Sequence, residues 1–332
     1  MGPLACRLGS SDMTSPITVE LWRGPHVESR HVVHAAVADV EGNVVRSWGD
    51  PDRLTHPRSA VKPLQALPLI ETGAADAFDL GPVQLALACA SHNGEPGHVA
   101  AVDVWLERIG CSADDLECGV EQAHRDHDPG ATAARNNCSG KHAGFLTVAR
   151  HLGVDITGYI RPEHPVQELV RAALAETTRT ALDPAEAGTD GCGIPVHPMP
   201  LHAIATAAAG FGTPTEWPPE RADASRRLAD AMVAEPWFVA GTGRLCTDLL
   251  AAANGDVLVK TGAEGVQFAA LPRLGLGIAI KAEDGSRPAS EVALGHVLAE
   301  VDGTDRPEVF DSRRRITNHV GTHVADLRII PT

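Results

Sequence analysis

Ser59 and Lys62 stand three residues apart in the run His56-Pro57-Arg58-Ser59-Ala60-Val61-Lys62-Pro63. The apolar residues that follow (Leu64, Ala66, Leu67, Leu69, Ile70) have the spacing of a helix. On a first helical turn, positions i and i+3 share a face, so the hydroxyl and the amine come within mutual reach. That pairing suits a serine nucleophile with a lysine as its general base. Lysine usage strengthens the reading. The 28 lysines and arginines include four lysines, at 62, 141, 260 and 281, and the rest are arginine. Arginine stays protonated, whereas a buried lysine can lose its proton and act as a base. Lys62, Lys141 and Lys260 sit in motif-like settings, and we read them as positions where arginine cannot do the work.

Two further elements belong with this pair. Ser91-His92-Asn93 follows an apolar helical stretch ending at Cys89, and Lys260-Thr261-Gly262 follows the β-rich run 256–259. The order S-x-x-K, S-x-N, K-T-G is the trio of class A β-lactamases and penicillin-binding proteins. Each element is weak alone; the three in order, at a helix start, a helix-to-loop turn and a strand end, form a strong signal. To serve as a base near neutrality, Lys62 must have its pKa lowered by about three units, roughly 4 kcal/mol. Desolvation and a second cation both push that way, and Lys260 is the second cation. Ser91 is placed to relay a proton to the leaving amine, and backbone N–H groups, that of Ser59 among them, are expected to form an oxyanion hole.

A second dense region is Asn136-Asn137-Cys138-Ser139-Gly140-Lys141-His142, answered by Asp190-Gly191-Cys192-Gly193. Its two cysteines are either small buried thiols in tight turns or ligands of a soft metal; the spacing alone favours the thiols. His124, Asp126, His127 and Asp128 are of ligand type but lie on a polar, turn-rich loop and read as solvated. His142 reads equally as a core histidine capping its helix.

These residues must be positioned by two kinds of element. Ile17–Arg23 alternates, and 31–40 and 44–48 follow as strands around the turn sequence Glu41-Gly42-Asn43, predicting a hairpin or meander. Helical texture then runs over 59–73, 83–89, 99–109, 142–152, 166–176, 201–209, 221–234 and 245–253, with alanine abundant. Strands return at 257–261, 266–271 and 274–281, followed by a helix at 289–301 and a last strand at 323–330. Strands at both ends with helices between predict an α+β fold in which one antiparallel sheet is formed from both chain ends and a mostly helical lobe lies between. We expect a tail over 1–15, with Met13 as an alternative start, and a single domain over 16–332.

The formal charge of −15 argues against nucleic acid and anionic membranes as partners. No run of eighteen apolar residues is present, and residues 1–15 lack the apolar core of a signal peptide. Seven cysteines at irregular spacing do not read as a disulfide framework and suit a reducing cytoplasm.

The runs from Arg58 to Lys62, from Cys89 to Glu95, from Asn136 to His142, from Asp190 to Pro195 and from Lys260 to Gly265 together resemble the Rhizobium etli-type L-asparaginases. This is a third class, distinct from the threonine-dependent bacterial and the plant N-terminal-nucleophile enzymes, and the resemblance covers nearly the whole chain. It implies hydrolysis of L-asparagine to L-aspartate and ammonia, a fold like serine β-lactamases and serine-dependent glutaminases, and a homodimer. It also implies two serine–lysine tandems, Ser59/Lys62 and Ser91/Lys260. Zinc held by Cys138, Lys141 and Cys192 is implied too, with the lysine neutral. Arg58, Asn93, His142 and Asp190 lie in matching motifs and are expected to contact substrate or orient the site. Two rival readings are a glutaminase or other amidase on the same scaffold, and a non-catalytic amino-acid-binding protein; an intact pair of serines and lysines argues against the latter.

Overall fold

The computed structural model describes residues 13–121 and 126–330. Its main sheet runs in the order Arg315–Thr317, His323–Ile330, Ile17–Arg23, His26–Asp39, Leu276–Ala282, Val266–Leu271, Leu258–Thr261. All these pairings are antiparallel. Along one edge, the strand His26–Asp39 pairs first with Ile17–Arg23 and then with Val44–Trp48. Strands from the two ends of the chain are direct neighbours, with Thr18 opposite Ile330 and Glu20 opposite Arg328. Both chain ends therefore build one sheet, and the intervening residues are mainly helical, as the element pattern predicts. Most of the tail expected over 1–15 lies outside the described residues; Met13–Thr14 pairs in parallel with Ser47–Trp48.

Helices cover both faces of the sheet. The alanine-rich helix Leu201–Gly212 is buried nearly throughout and packs on the central strands. Contact is close at Gly277, where an added Cβ would lie 2.0 Å from Ala205 O and 2.2 Å from Ala209 N. Ala270, opposite Gly277, faces the same helix at Gly212. Gln267, three residues earlier, points to the other face and donates to Ser290 Oγ of the helix Arg287–Asp302 at 2.9 Å. Pro165–Thr178 and Pro219–Ala234 pack against Leu201–Gly212, Pro307–Arg314 packs against Arg287–Asp302, and the helices together enclose an apolar core.

Three differences from the sequence reading have simple causes. The second strand begins at His26 rather than 31, because Arg23–Glu28 and Arg30–Glu20 ion pairs extend the hairpin past the core, where alternation of polarity gives no signal. The helix expected over 59–73 is a 3-10 turn Arg58–Val61 followed by short helices Lys62–Gln65 and Leu67–Glu71. Pro63 and Pro68 each open a new segment, since proline fits a first turn and interrupts an interior. A helix Pro307–Arg314, two-thirds polar in composition, carries too little apolar periodicity to be read from sequence.

Candidate active site

The segment carrying Ser59 is held from two sides. In a 3-10 turn, residues three apart eclipse, so Ser59 and Lys62 share a face as expected. Arg58, just before, has a left-handed backbone (φ 51°), a conformation costly for a side chain with a Cβ. Its guanidinium is fixed to Asp190 Oδ1 at 2.6 Å. From the other side, the end of the edge strand Leu258–Thr261 presses against the turn. A Cβ on Gly262 would stand 2.7 Å from Pro57 O and 2.9 Å from Ala60 N, so only glycine permits this approach.

Ser91 lies on the loop that leaves the helix Pro82–Ala88. Its N–H donates to Val239 O (3.0 Å) and that of Asn93 to Ala240 O (2.9 Å), satisfying the final carbonyls of the short helix Pro236–Ala240. This docking brings the Ser91 hydroxyl between two amines: Lys62 Nζ at 3.0 Å and Lys260 Nζ at 2.9 Å. Both lysines are buried, at 0% and 1% exposure, whereas Lys281 is only half-buried. Lys62 Nζ also donates to the carbonyls of Ala90 and Asn137, and Lys260 Nζ to that of Thr261 at 2.7 Å. Burial, with Lys62 and Arg244 nearby, depresses Lys260 to about 7, against a weaker opposing influence of Cys246. A buried amine that is half neutral at pH 7 and hydrogen-bonded to a hydroxyl has the chemistry to act as a general base toward that hydroxyl. Ser59 Oγ has no hydrogen-bond partner among the described residues; it shares with Ser91 the wall of a pocket of about 310 Å³. The sequence pairs each serine with one lysine; the structure instead places both amines on Ser91.

The second cluster also assembles. Lys141, at the start of the helix Ser139–Leu152, places Nζ 3.0 Å from Cys192 Sγ, and the thiols of Cys138 and Cys192 are hydrogen-bonded to each other. All three residues are buried. Cys192 pulls the Cys138 thiol well down by hydrogen bonding, and Lys62 and Lys141 help, while burial opposes. Burial alone would lower Lys141, but Cys192, Cys138 and Asp190 together raise it. Among the described residues, no group of three or more His, Cys, Asp or Glu side chains is arranged for a metal. The donor set here is two thiols and an amine. The amine has three N–H groups and a single hydrogen-bond acceptor, Cys192, among the described residues. Once a bound cation displaces its proton, this under-satisfied amine would join the two converging thiols as a zinc-type donor set with one position left over.

The four expected substrate contacts behave differently from one another. Asn93 lines the serine pocket, but its amide is spent on neighbours, donating to Glu95 Oε1 and Thr242 O and accepting from Arg244 Nη1 at 2.8 Å. Arg58 and Asp190 pair with each other off that wall; Arg58 faces a separate pocket of about 410 Å³. His142 is fully buried, with Nδ1 on Tyr159 O–H at 2.7 Å, and burial with Lys141 and Lys62 holds it neutral. It is a core histidine in this arrangement. Of the other ligand-type residues, His124 lies outside the described residues, and Asp128 caps Gly130 N–H and pairs with Arg135. Sequence reasoning passed over Arg244, Arg287 and Glu121, all on the wall of the serine pocket. Arg244 stands in a Gly-Thr-Gly-Arg turn, the one local hint; Arg287 and Glu121 give none.

The profile of the L-asparaginase II family matches residues 19–329. No curated protein sequence matches significantly. Among solved structures, Mglu in its native form is similar at 17% identity, covering 82% of this chain and 64% of that chain, with a TM-score of 0.40. A β-lactamase from Mycobacterium bovis is similar at 17% identity over 81% of this chain and 94% of its own, TM-score 0.40. A Bacillus glutaminase is similar at 14% identity over 82% and 91%, TM-score 0.39.

Proposed function

Because the chain belongs to the L-asparaginase II family, we propose that this amidohydrolase acts on the side-chain amide of L-asparagine through an ester on serine. The observation that carries the reading is Ser91 Oγ held at 3.0 and 2.9 Å by two buried lysine amines, beside Ser59 on one pocket wall. Ser59 Oγ, without a hydrogen-bond partner among the described residues, attacks the amide carbonyl. Its proton passes to Lys62, one turn on, whose amine has two positions on carbonyls and one on Ser91. Ser91 links this amine to Lys260, which is half neutral near pH 7 and so accepts or returns a proton at low cost. The tetrahedral oxyanion is met by backbone N–H groups; that of Ala263, on the pocket wall, has no other partner among the described residues. Collapse breaks the C–N bond, a returned proton lets ammonia leave, and water cleaves the β-aspartyl ester to give L-aspartate and free serine.

A second reading has Ser91 itself as nucleophile with Lys260 as base, favoured by the 2.9 Å bond between them. Trapping the ester at acid pH and mapping the modified peptide by mass spectrometry separates the two: a label on Ser59 supports the first, a label on Ser91 the second. Ser59→Ala and Ser91→Ala should each lower ammonia release from L-asparagine by a factor of about 10³ or more. Wild type should prefer L-asparagine to L-glutamine. Equal turnover of both amides would replace the asparaginase reading by a broader amidase, and asparagine binding without ammonia release would replace it by a binding protein.

The finer class, similar to the Rhizobium etli type, is part of this proposal, as is zinc at Cys138, Lys141 and Cys192. When bound there, zinc would supply a Lewis-acidic charge beside the lysines, orienting substrate and tuning neighbouring pKa values. The six described cysteines are free thiols, which supports a reducing cytoplasm, and no described helix is long and apolar enough to cross a membrane. The homodimer and the single unit over 16–332 rest on the family resemblance.

A further inference from the structure

The pocket holding Ser59 and Ser91 has a charged wall that the serine–lysine chemistry does not use. Arg244 is half-buried, and its guanidinium has one hydrogen-bond partner among the described residues, the neutral Asn93 Oδ1 at 2.8 Å. The Arg287 guanidinium has no hydrogen bond or ion pair to a described residue. The two arginines lie close enough to repel each other, and the buried carboxylate of Glu291 attracts both. Glu291 is itself paired with Arg313, so the two pocket guanidiniums together carry more positive charge than this one carboxylate offsets. Arg244 is half-buried and Arg287 is exposed, and an anion in the pocket would offset their mutual repulsion. On the same wall, Glu121 commits only Oε1, which accepts both the backbone N–H of Asn137 (2.8 Å) and its side-chain amide. Oε2 has no donor among the described residues.

We propose that this wall reads the two α-groups of a free amino acid: Arg244 and Arg287 take the α-carboxylate, and Glu121 takes the α-ammonium. Two cations and one anion around a pocket of about 310 Å³ match a small zwitterion and leave its side-chain amide for the serines. The inference rests on the amidohydrolase reading and narrows its substrate class. An asparagine inside a peptide, whose α-groups are both amides, is excluded.

The test compares ammonia release from L-asparagine, succinamic acid (no α-ammonium) and β-alaninamide (no α-carboxylate), by wild type, Arg287→Ala and Glu121→Gln. Wild type should favour L-asparagine by about 30-fold or more in kcat/KM over either truncated amide, the usual consequence of leaving one member of a charged pair alone. Arg287→Ala should lose that advantage on L-asparagine and leave β-alaninamide turnover unchanged. Glu121→Gln should do the same with succinamic acid as the indifferent substrate. The truncated amides serve as internal controls, because a merely misfolded variant loses all three. Variants that lower all three equally, or none, overturn the proposal, as does wild-type turnover of Nα-acetyl-L-asparagine equal to that of L-asparagine. If wild type releases ammonia from none of these amides, the amidohydrolase reading fails and calorimetry decides the pocket. L-asparagine binding that Arg287→Ala abolishes upholds the α-group assignment; no binding, or binding that persists, overturns it.

Discussion

Replacing Lys260 by methionine removes one titrating group from a fully buried position, and its effect on stability can be worked out with sign and size. The fold holds Lys260 at about 7, mainly by burial and then through neighbouring cations, against 10.5 for an ordinary lysine. A shift of about 3.5 units corresponds to roughly 5 kcal/mol of preference for the neutral amine in the folded state. Below pH 7 both folded and unfolded chains carry the proton, so the cost of burying the charge falls wholly on the folded state. Between pH 7 and 10.5 the unfolded chain binds more protons than the folded one, and stability therefore rises with pH. From pH 7 to pH 9 the gain from this group is roughly 2 kcal/mol. Lys260→Met lacks it, so the difference in unfolding free energy between wild type and variant, from urea titrations at pH 6, 7, 8 and 9, should shift by that amount in favour of wild type. The same titration appears in catalysis: the neutral fraction grows about tenfold from pH 6 to pH 8, and so should kcat/KM, with its acid limb near 7. A stability difference independent of pH, or a limb above pH 9, would refute the depressed amine and with it the proton path drawn through Ser91.

Three other changes probe the frame around this amine. Gly262→Ala drives a methyl group into Pro57 O and Ala60 N, and should cost about 1–3 kcal/mol in stability and a larger share of kcat than of KM, read by urea melts and steady-state kinetics. Cys192→Ser should lower zinc uptake at least tenfold relative to wild type, measured as metal content after dialysis against a graded chelator; equal metal content would remove Cys192 from the donor set. Asp190→Asn breaks the pair that holds Arg58 in its left-handed backbone. Asp190 is held below the ordinary carboxylate value by Lys141 and Arg58 despite burial, so its contribution is present above the unfolded pKa and fades as pH falls through the folded one. The wild-type advantage over Asp190→Asn in thermal melts should therefore shrink between pH 5 and pH 3.

Much of this arrangement was readable from residue types. Three of four lysines were singled out because arginine was used almost everywhere else, and those three are the buried ones. Strands at both ends of the chain predicted a shared sheet, because apolar alternation there is clean and the middle is alanine-rich. What escaped has a common cause. Which hydroxyl receives an amine depends on side-chain reach across elements far apart in sequence: Lys62 passes over Ser59, three residues away, to Ser91, which is 29 away. No periodicity encodes that choice. Arg244 and Arg287 are chemically the same as the other arginines until the fold sets both on one pocket wall. His142 looked like a substrate contact because of its neighbours in sequence, but a helix turns successive residues in different directions: Lys141 meets Cys192 while His142 meets Tyr159.

The pairing of Ile17–Arg23 with His323–Ile330 has a consequence for the life of the chain on the ribosome. The strands that end at Trp48 wait for their partners until residue 276 and beyond have been made, 228 residues later. At ordinary elongation rates that is roughly 10–50 s. During that interval Lys62 and Ser91 are made well before Lys260, and the apolar side of the first hairpin has no second half to cover it. The nascent chain therefore has no complete proton path. Hydrolysis begins only when the last strands close the sheet, and an incomplete polypeptide is left with an exposed strand edge, a surface for chaperones rather than for substrate.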